Sequence, residues 1–437
     1  MQAIHIGLAG VGTVGRGVVE LLKRNQAEIR RRVGRDIVLT YAAGRDFHKT
    51  QAAFADQTQV RVIESAMDLA NLPDIDIVVE LIGGDTYAKD LILAAIHNGK
   101  HVVTANKKLL ALHGDEIFAL AQQKGVMVAF EAAVAGGIPI IKALREGLAA
   151  NRIEWIAGII NGTSNFILSK MRETGAAFPE VLAEAQALGY AEADPTFDIE
   201  GHDAGHKLTI MAAIAFGMPM QFDHCHLEGI SGLSATDMAY AEEFGYRVKL
   251  LGYAKRNENG VALRVAPTLI PEQRLIANVN GVMNAVLVQG DALGASLYYG
   301  PGAGSMPTAS AVVADLIDVA RVATADPENR VPHLAFQPDQ MATLPMLTLG
   351  EMTCAYYLRI TSVDKVGVLA EVTAALAAHQ VSVEALIQKE APNGHAEIVI
   401  ITHATQEKNV DLAVAHIQNL PSSTLPIVRL RVEALAA

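Results

Sequence analysis

The densest chemistry in the chain lies between Gly189 and Lys207, where five carboxylates, Glu192, Asp194, Asp198, Glu200 and Asp203, lead to one lysine, Lys207. Asp203 and Lys207 stand at i and i+4, one above the other on a helix face. On a surface such a pair is a salt bridge of about half a kcal/mol. In a site, the carboxylates would hold a substrate ammonium while Lys207 handles a proton. Hydride delivery to an aldehyde leaves an alkoxide, so that site needs a general acid beside the carbonyl oxygen, and a lysine serves.

A source of hydride is implied at the other end of the chain. Gly10-x-Gly12-x-x-Gly15 follows an apolar run at 4–8 and opens a helical pattern near Thr13, the strand-turn-helix context of a dinucleotide fingerprint. Gly10 permits the tight turn and Gly12 lets a pyrophosphate approach the backbone. Gly15 lets helix pack on strand, with Thr13 and Val14 at the helix N-terminus facing the phosphates. A nicotinamide-dependent oxidoreductase follows. A site built for NAD carries Asp or Glu at the end of the second strand, but here that end reads Ala42-Ala43-Gly44-Arg45. Arg45, with Lys49, has the charge for a 2′-phosphate, which favours NADP(H) and leaves NAD(H) as the alternative. A solvated surface arginine is the other reading.

Thr104-Ala105-Asn106-Lys107-Lys108 directly follows an apolar run, at the strand end where α/β enzymes place ligands. Either one lysine enters a cleft or both are solvated, and nothing local chooses between them. The loops 161–165 (Asn-Gly-Thr-Ser-Asn) and 300–304 (Gly-Pro-Gly-Ala-Gly) are ligand cradles or plain turns. Asp223-His224-Cys225-His226 and the pair His202 and His206 lack a second set of ligands, so they do not make a zinc site.

These residues need elements to hold them. Apolar runs at 4–8, 37–43, 75–81, 101–104 and 126–130 alternate with helical segments at 87–97 and 109–123, a doubly wound parallel sheet. After about residue 131 the segments lengthen, with a strand at 153–160, helices at 179–188 and 203–215, β-rich stretches over 248–299 and a helix at 308–324. The last block reads strand 355–362, helix 367–379, strands 383–389 and 397–402, helix 406–418, strand 427–432, the β-α-β-β-α-β order of a ferredoxin-like unit. The expected division is 1–135 completed by 305–330, then 136–304, a Pro-containing linker at 331–350, and 351–437.

Composition agrees with this α/β reading. Of 437 residues, 51% are hydrophobic and 19% charged, enough for about three cores. The formal charge of −12 gives no basic stripe for nucleic acid, so a small-molecule partner is expected. Cys225 and Cys354 form no framework or CxxC motif, and a reducing, cytoplasmic setting is expected. The beginning lacks the basic region of a signal peptide and no apolar run is long enough for a bilayer, so no membrane partner is expected.

With these motifs in view, the sequence resembles homoserine dehydrogenases of the monofunctional type with a C-terminal ACT domain, over almost its whole length. The most specific part is Ala187-x-Gly189 through Glu192, Asp194-Pro195, Asp198, Gly201, Asp203 and Lys207, supported by the glycine fingerprint, Thr104 to Lys107, Asn161-Gly-Thr163 and Gly302-Ala-Gly304. The resemblance implies a Rossmann-type domain, an α+β substrate and dimerisation domain and a ferredoxin-like ACT domain. It implies NAD(P)H-dependent interconversion of L-aspartate 4-semialdehyde and L-homoserine, a step toward threonine, methionine and isoleucine, by a homodimer or homotetramer.

It also implies roles. Lys207 is the proton donor and acceptor, Asp203 orients it, and Lys107 is the cleft lysine. Glu192 and Asp198 bind the substrate's amino end, with Thr163, Asp203 and Lys207 completing the substrate set. Gly10, Gly12, Thr13, Val14, Gly15, Arg45, Thr104, Lys107, Gly189 and Gly304 are the expected cofactor contacts. A monovalent cation, Na+ or K+, maps to Glu131 and the backbones of Val134, Gly136 and Ile138, a carboxylate plus loop carbonyls suited to a hard cation. In the ACT block the loop Asp364-Lys365-Val366-Gly367-Val368-Leu369 is of the type that binds a regulatory amino acid, with threonine the implied effector. Val366 stands where the family usually has proline, and a module used only for assembly is the alternative.

Two rival readings make demands of their own. An ACT-containing dehydrogenase of the 3-phosphoglycerate type would place the glycine fingerprint well inside the chain. A non-enzymatic sensor of nucleotide and amino acid would have no use for the acidic segment ending at Lys207.

Overall fold

The computed structural model describes residues 2–435, which fall into two compact units. The first comprises residues up to 154, 203–223 and 283–343. At its centre is a six-stranded sheet in the order Arg61–Ile63, Ile37–Ala43, Ile4–Ala9, Ile77–Glu80, His101–Thr104, Val128–Ala129, parallel throughout. The inner strands are buried on both faces, which is why they read as unbroken apolar runs: Ile6, Leu8, Ile77, Val79 and Val103 are fully buried. Strand order reverses between Ile4–Ala9 and Ile77–Glu80, and the register there matters for function. Ala9 stands opposite both Ala43 and Glu80, and Glu80 opposite Thr104. The loops that follow these strands, carrying Gly10, Arg45, Gly83 and Lys107, therefore all leave one edge.

The helix Ser305–Val322 packs against Thr13–Arg24, and a Cβ at Gly17 would lie 2.8 Å from the Ser305 carbonyl oxygen and 3.0 Å from Ala309 Cβ. The segment 331–343, read from sequence as linker, is ordered within this unit: His333 Nε2 accepts from the Val128 amide at 3.0 Å and the Ala342 amide donates to the Gly217 carbonyl at 2.7 Å. Several elements escaped the sequence reading, three of them around the second strand of the sheet. The strand Arg61–Ile63 is too short to show a period, half of Gln26–Val33 is charged, and Phe47–Ala53 has one buried residue.

The second unit comprises 155–202, 224–282 and residues from 344 onward. Its sheet runs Ile153–Ile159 (from Trp155), Tyr246–Asn257, Gly260–Pro271, Val428–Val432, Thr353–Val363, His395–Thr402, Val383–Ala391. The last four strands with the helices Val368–Ala378 and Glu407–Gln418 are the expected ferredoxin-like block, closed over a core of Tyr356, Leu358, Ile360, Val372, Leu376 and Val410. The sheet is continuous across that block's edge, because Thr268 pairs in parallel with Arg431 and Leu269 with Val432. The block is also tied by charge. Arg359 grips the buried Asp237 of helix Ala235–Glu243 through Nε at 2.7 Å and Nη2 at 3.1 Å, and Tyr357 donates to the same carboxylate at 3.0 Å.

Candidate active site

The glycine turn has the shape its sequence demands. Gly10 adopts φ +100°, its amide donates to the Ala43 carbonyl at 2.8 Å, and a Cβ there would lie 2.5 Å from the Leu81 carbonyl oxygen. At Gly15 a Cβ would lie 2.2 Å from the Gly10 carbonyl oxygen, so this glycine serves the packing of turn on helix. Gly12 differs. A Cβ there would meet nothing within 4 Å, so the protein itself does not require glycine, and the space is open for a ligand. The helix beginning at Thr13, followed by Val14, has no side-chain cap on its first amides, a charge arrangement suited to phosphate. A cavity of about 600 Å³ adjoins the turn, lined among others by Gly12, Arg16, Arg45, Lys49, Glu64 and Tyr87, with Arg45 exposed on it. These residues fit a phosphorylated dinucleotide.

Lys107 opens the helix Lys107–Lys124, capped by Asn106, whose Oδ1 accepts from the Leu109 amide at 3.1 Å. Its Nζ lies 2.6 Å from Asp203 Oδ1, and Lys207 Nζ lies 2.7 Å from Asp203 Oδ2. Lys108 turns away to Asp85 at 2.9 Å, so Lys107 is the lysine that joins the cluster. The surface reading of the i, i+4 pair is corrected here: Asp203 and Lys207 are 3% and 7% exposed, because the helix His202–Phe216 is buried along nearly its whole length. Burial alone would raise the Asp203 pKa, but the ammonium groups of Lys207 and Lys107 outweigh it and hold the carboxyl well below the usual range. Two ammoniums around one carboxylate leave a net positive charge, the sign that favours a developing alkoxide.

The remaining carboxylates of the sequence segment belong to the second unit and do different things. Asn161 caps the helix Gly162–Thr174 by accepting from the Ser164 amide at 2.8 Å, and its Nδ2 donates to Asp198 Oδ1 at 2.7 Å. Thr163 Oγ1 donates to the Tyr190 carbonyl at 2.7 Å, and Gly189 before it takes φ +75°. Asp194 accepts from the Thr196 amide at 3.1 Å and Glu200 from the Ser231 hydroxyl at 2.8 Å, so both shape the loop. Glu192 is exposed.

In the first unit the Glu131 carboxylate accepts from the amides of Ile141 and Lys142, each at 2.9 Å, and the Glu131 amide donates to Asp315 at 2.8 Å. Burial raises the pKa of both acids. Ala135 and Gly136 have φ +54° and +45°, and the Ile138 carbonyl accepts from the Ile140 amide at 2.8 Å. Both Glu131 oxygens are thus engaged by backbone amides, and the Ile138 carbonyl by the Ile140 amide. Gly304, at φ +121°, immediately precedes the helix Ser305–Val322, and Gly302 leaves no room for a side chain, since a Cβ would lie 1.2 Å from Asn284 Oδ1. In the ACT loop Gly367 takes φ +96°, Val368 is buried, Leu369 packs on the core, and Asp364 and Val366 are exposed.

Among the described residues no group of three or more His, Cys, Asp or Glu is placed to hold a metal ion, and no helix is long and apolar enough to cross a membrane. His206 packs on Phe222 with ring centroids 4.2 Å apart and His202 stacks on Phe197 at 6.3 Å. Burial pushes the Cys225 thiol up to about 12. Sequence reasoning missed Glu80, a fully buried carboxylate at the switch point, because a Glu ending an apolar strand reads as solvated.

A buried lysine in the same unit as an open dinucleotide turn is the equipment of a nicotinamide-dependent oxidoreductase that converts carbonyl and alcohol. Comparison with known proteins makes this specific. Residues 139–317 match the family model "Homoserine dehydrogenase", residues 10–131 match "Homoserine dehydrogenase, NAD binding domain", and residues 356–422 match "ACT domain". The chain is 57% identical to a homoserine dehydrogenase of Pseudomonas aeruginosa over the full length of both. It is similar to the crystal structure of a homoserine dehydrogenase from Thiobacillus denitrificans, at TM-score 0.95 and 61% identity over 99% of each chain. A hyperthermophilic archaeal homoserine dehydrogenase in complex with NADPH matches at TM-score 0.62 and 29% identity, over 72% of this chain and 97% of that one. The chain belongs to the homoserine dehydrogenase family, with NAD-binding, catalytic and ACT domains. Its activity is the NAD(P)-dependent interconversion of L-homoserine and L-aspartate 4-semialdehyde, and neither the 3-phosphoglycerate type nor a sensor is favoured.

Proposed function

We propose that the reaction runs on the cluster Lys107, Asp203 and Lys207, with NADPH preferred over NADH. The carrying observation is the buried carboxylate held between two lysines, at 2.6 and 2.7 Å. A bound nicotinamide supplies the hydride in reduction and takes it in oxidation. Lys207 Nζ gives the proton to the aldehyde oxygen as negative charge develops there, and takes it back in the reverse direction. Asp203 keeps that ammonium protonated and fixed in direction, since an adjacent carboxylate favours the charged form. Lys107 adds a second positive charge at the oxygen. Glu192 and Asp198 have the charge that a substrate ammonium requires, and Thr163 shapes the loop that carries them. Arg45 and Lys49, on the cavity beside the glycine turn, support the preference for a 2′-phosphate. The consecutive left-handed residues Ala135 and Gly136 support a monovalent cation in the loop 131–138. The exposed Asp364 and the left-handed Gly367 support threonine as effector at the ACT loop.

Initial rates of semialdehyde reduction with NADPH and with NADH, each with and without threonine, test this reading. Higher kcat/KM with NADPH and a lower rate with threonine are expected. A preference for NADH removes the role given to Arg45, and indifference to threonine removes the effector.

A further inference from the structure

Glu80 ends the strand Ile77–Glu80 and is fully buried. An ionised carboxylate in that position is costly unless it is hydrogen-bonded, and both of its oxygens are. Oε1 accepts from the amides of Ile82 at 2.8 Å and Gly83 at 3.0 Å, and Oε2 accepts from the Thr104 hydroxyl at 2.6 Å. Thr104 Oγ1 accepts in turn from the Asn106 amide at 3.0 Å. Asn106 caps the helix that Lys107 begins, and its Nδ2 reaches back to the Gly84 carbonyl at 2.6 Å. Lys107 Nζ then meets Asp203. One buried carboxylate thus holds two of the loops that leave the sheet edge and, through two intermediaries, the start of the lysine-bearing helix.

Besides Glu80, the loop is tied by the Asn106 bond to the Gly84 carbonyl and by the Lys108–Asp85 ion pair. Gly83 and Gly84 take φ +80° and +79°, and a Cβ at either would meet nothing within 4 Å, so no close packing confines them.

We propose that Glu80 is a positioning residue for the reduction. It acts through Thr104 and Asn106 to fix Lys107 against Asp203, and through the amides of Ile82 and Gly83 to fix the loop beside the glycine turn. The proposal rests on the assignment of Lys107, Asp203 and Lys207 as the reacting end. A glutamine at this position keeps the shape and one acceptor for the two amides, but its NH2 group can only donate, so the charge-assisted bond from the Thr104 hydroxyl gives way to a weaker neutral bond of reversed direction onto Thr104 Oγ1. The variant therefore reverses and weakens one link while sparing the other.

Five variants test it: Glu80→Gln, Thr104→Val, Thr104→Ser, the Glu80→Gln/Thr104→Val double, and Lys107→Met. Misplacing a reacting group by a fraction of an ångström to one ångström costs roughly ten- to a hundredfold, so Glu80→Gln is expected to lose about that much kcat with KM for NADPH little changed. The double variant is expected to be no slower than Thr104→Val alone, because both act on one linkage. Full kcat in Glu80→Gln, or fully additive losses in the double variant, overturns the proposal. Should Glu80→Gln fail to fold, Thr104→Val must lose kcat with KM for NADPH little changed and Thr104→Ser must recover most of that loss, and equal kcat in those two overturns it. Full kcat in Lys107→Met instead overturns the assignment of the reacting end.

Discussion

Replacing Asp203 by asparagine removes the buried carboxylate that pairs with both Lys107 and Lys207. The carboxylate is 3% exposed and meets two ammonium groups, so the substitution leaves one buried positive charge, Lys207, and one part-exposed one, Lys107, facing a neutral amide. Breaking a buried pair from one side costs about 3–5 kcal/mol, partly relieved here if one lysine gives up its proton. Loss of the neighbouring carboxylate lowers a lysine's pKa. With Lys207 as the proposed proton donor, the rate of reduction is expected to fall as pH rises and the lysine deprotonates, and in Asp203→Asn that fall is expected to begin at lower pH. Stability changes with the opposite sense of titration. The folded-state pKa of Asp203 is depressed, so its contribution is present above the unfolded value of about 4 and is lost as pH falls below it. Asp203→Asn must lack that acid-side component. Initial rates of NADPH oxidation against pH, with urea unfolding at neutral and acid pH, measure both effects. An unchanged pH-rate profile in a folded variant would refute the coupling of Asp203 to Lys207.

Other perturbations separate folding from binding. Gly12→Ala fills open space, so stability is expected to stay within about 0.5 kcal/mol while NADPH affinity falls; Gly15→Ala, aimed at a carbonyl 2.2 Å away, is expected to lower stability as well, both read by thermal unfolding and cofactor titration. Arg45→Ala is expected to weaken NADPH by about 1.5–3 kcal/mol and leave NADH nearly unaffected, and equal loss for both cofactors contradicts a 2′-phosphate contact. Arg359→Met strips the buried Asp237 of its bidentate partner and is expected to cost about 3–5 kcal/mol in chemical denaturation.

Much of this architecture was legible because parallel strands buried on both faces leave unbroken apolar runs, and a βα turn that receives phosphate leaves its glycines. The ferredoxin-like block was legible for a related reason, since its short strands alternate with amphipathic helices. What sequence could not show is which charges lie inside. Asp203 and Lys207 have the spacing of a surface pair, and their burial depends on what covers the helix His202–Phe216. Glu80 is invisible for the same reason, its three donors arriving from residues 82, 83 and 104. Nor does local pattern reveal that Arg431 ends up fully buried beside Glu407, in the strand that continues the sheet from Thr268. The choice between the two lysines was open on local grounds, and the structure pairs Lys107 with Asp203 and Lys108 with Asp85.

The central claim is that Lys207 moves the proton. Steady-state reduction of L-aspartate 4-semialdehyde by Lys207→Met, alongside NADPH titration of the same protein, tests it most directly. The account predicts a loss of about 10²–10⁴ in kcat with NADPH affinity essentially unchanged. A folded Lys207→Met variant that turns over at the normal rate contradicts it.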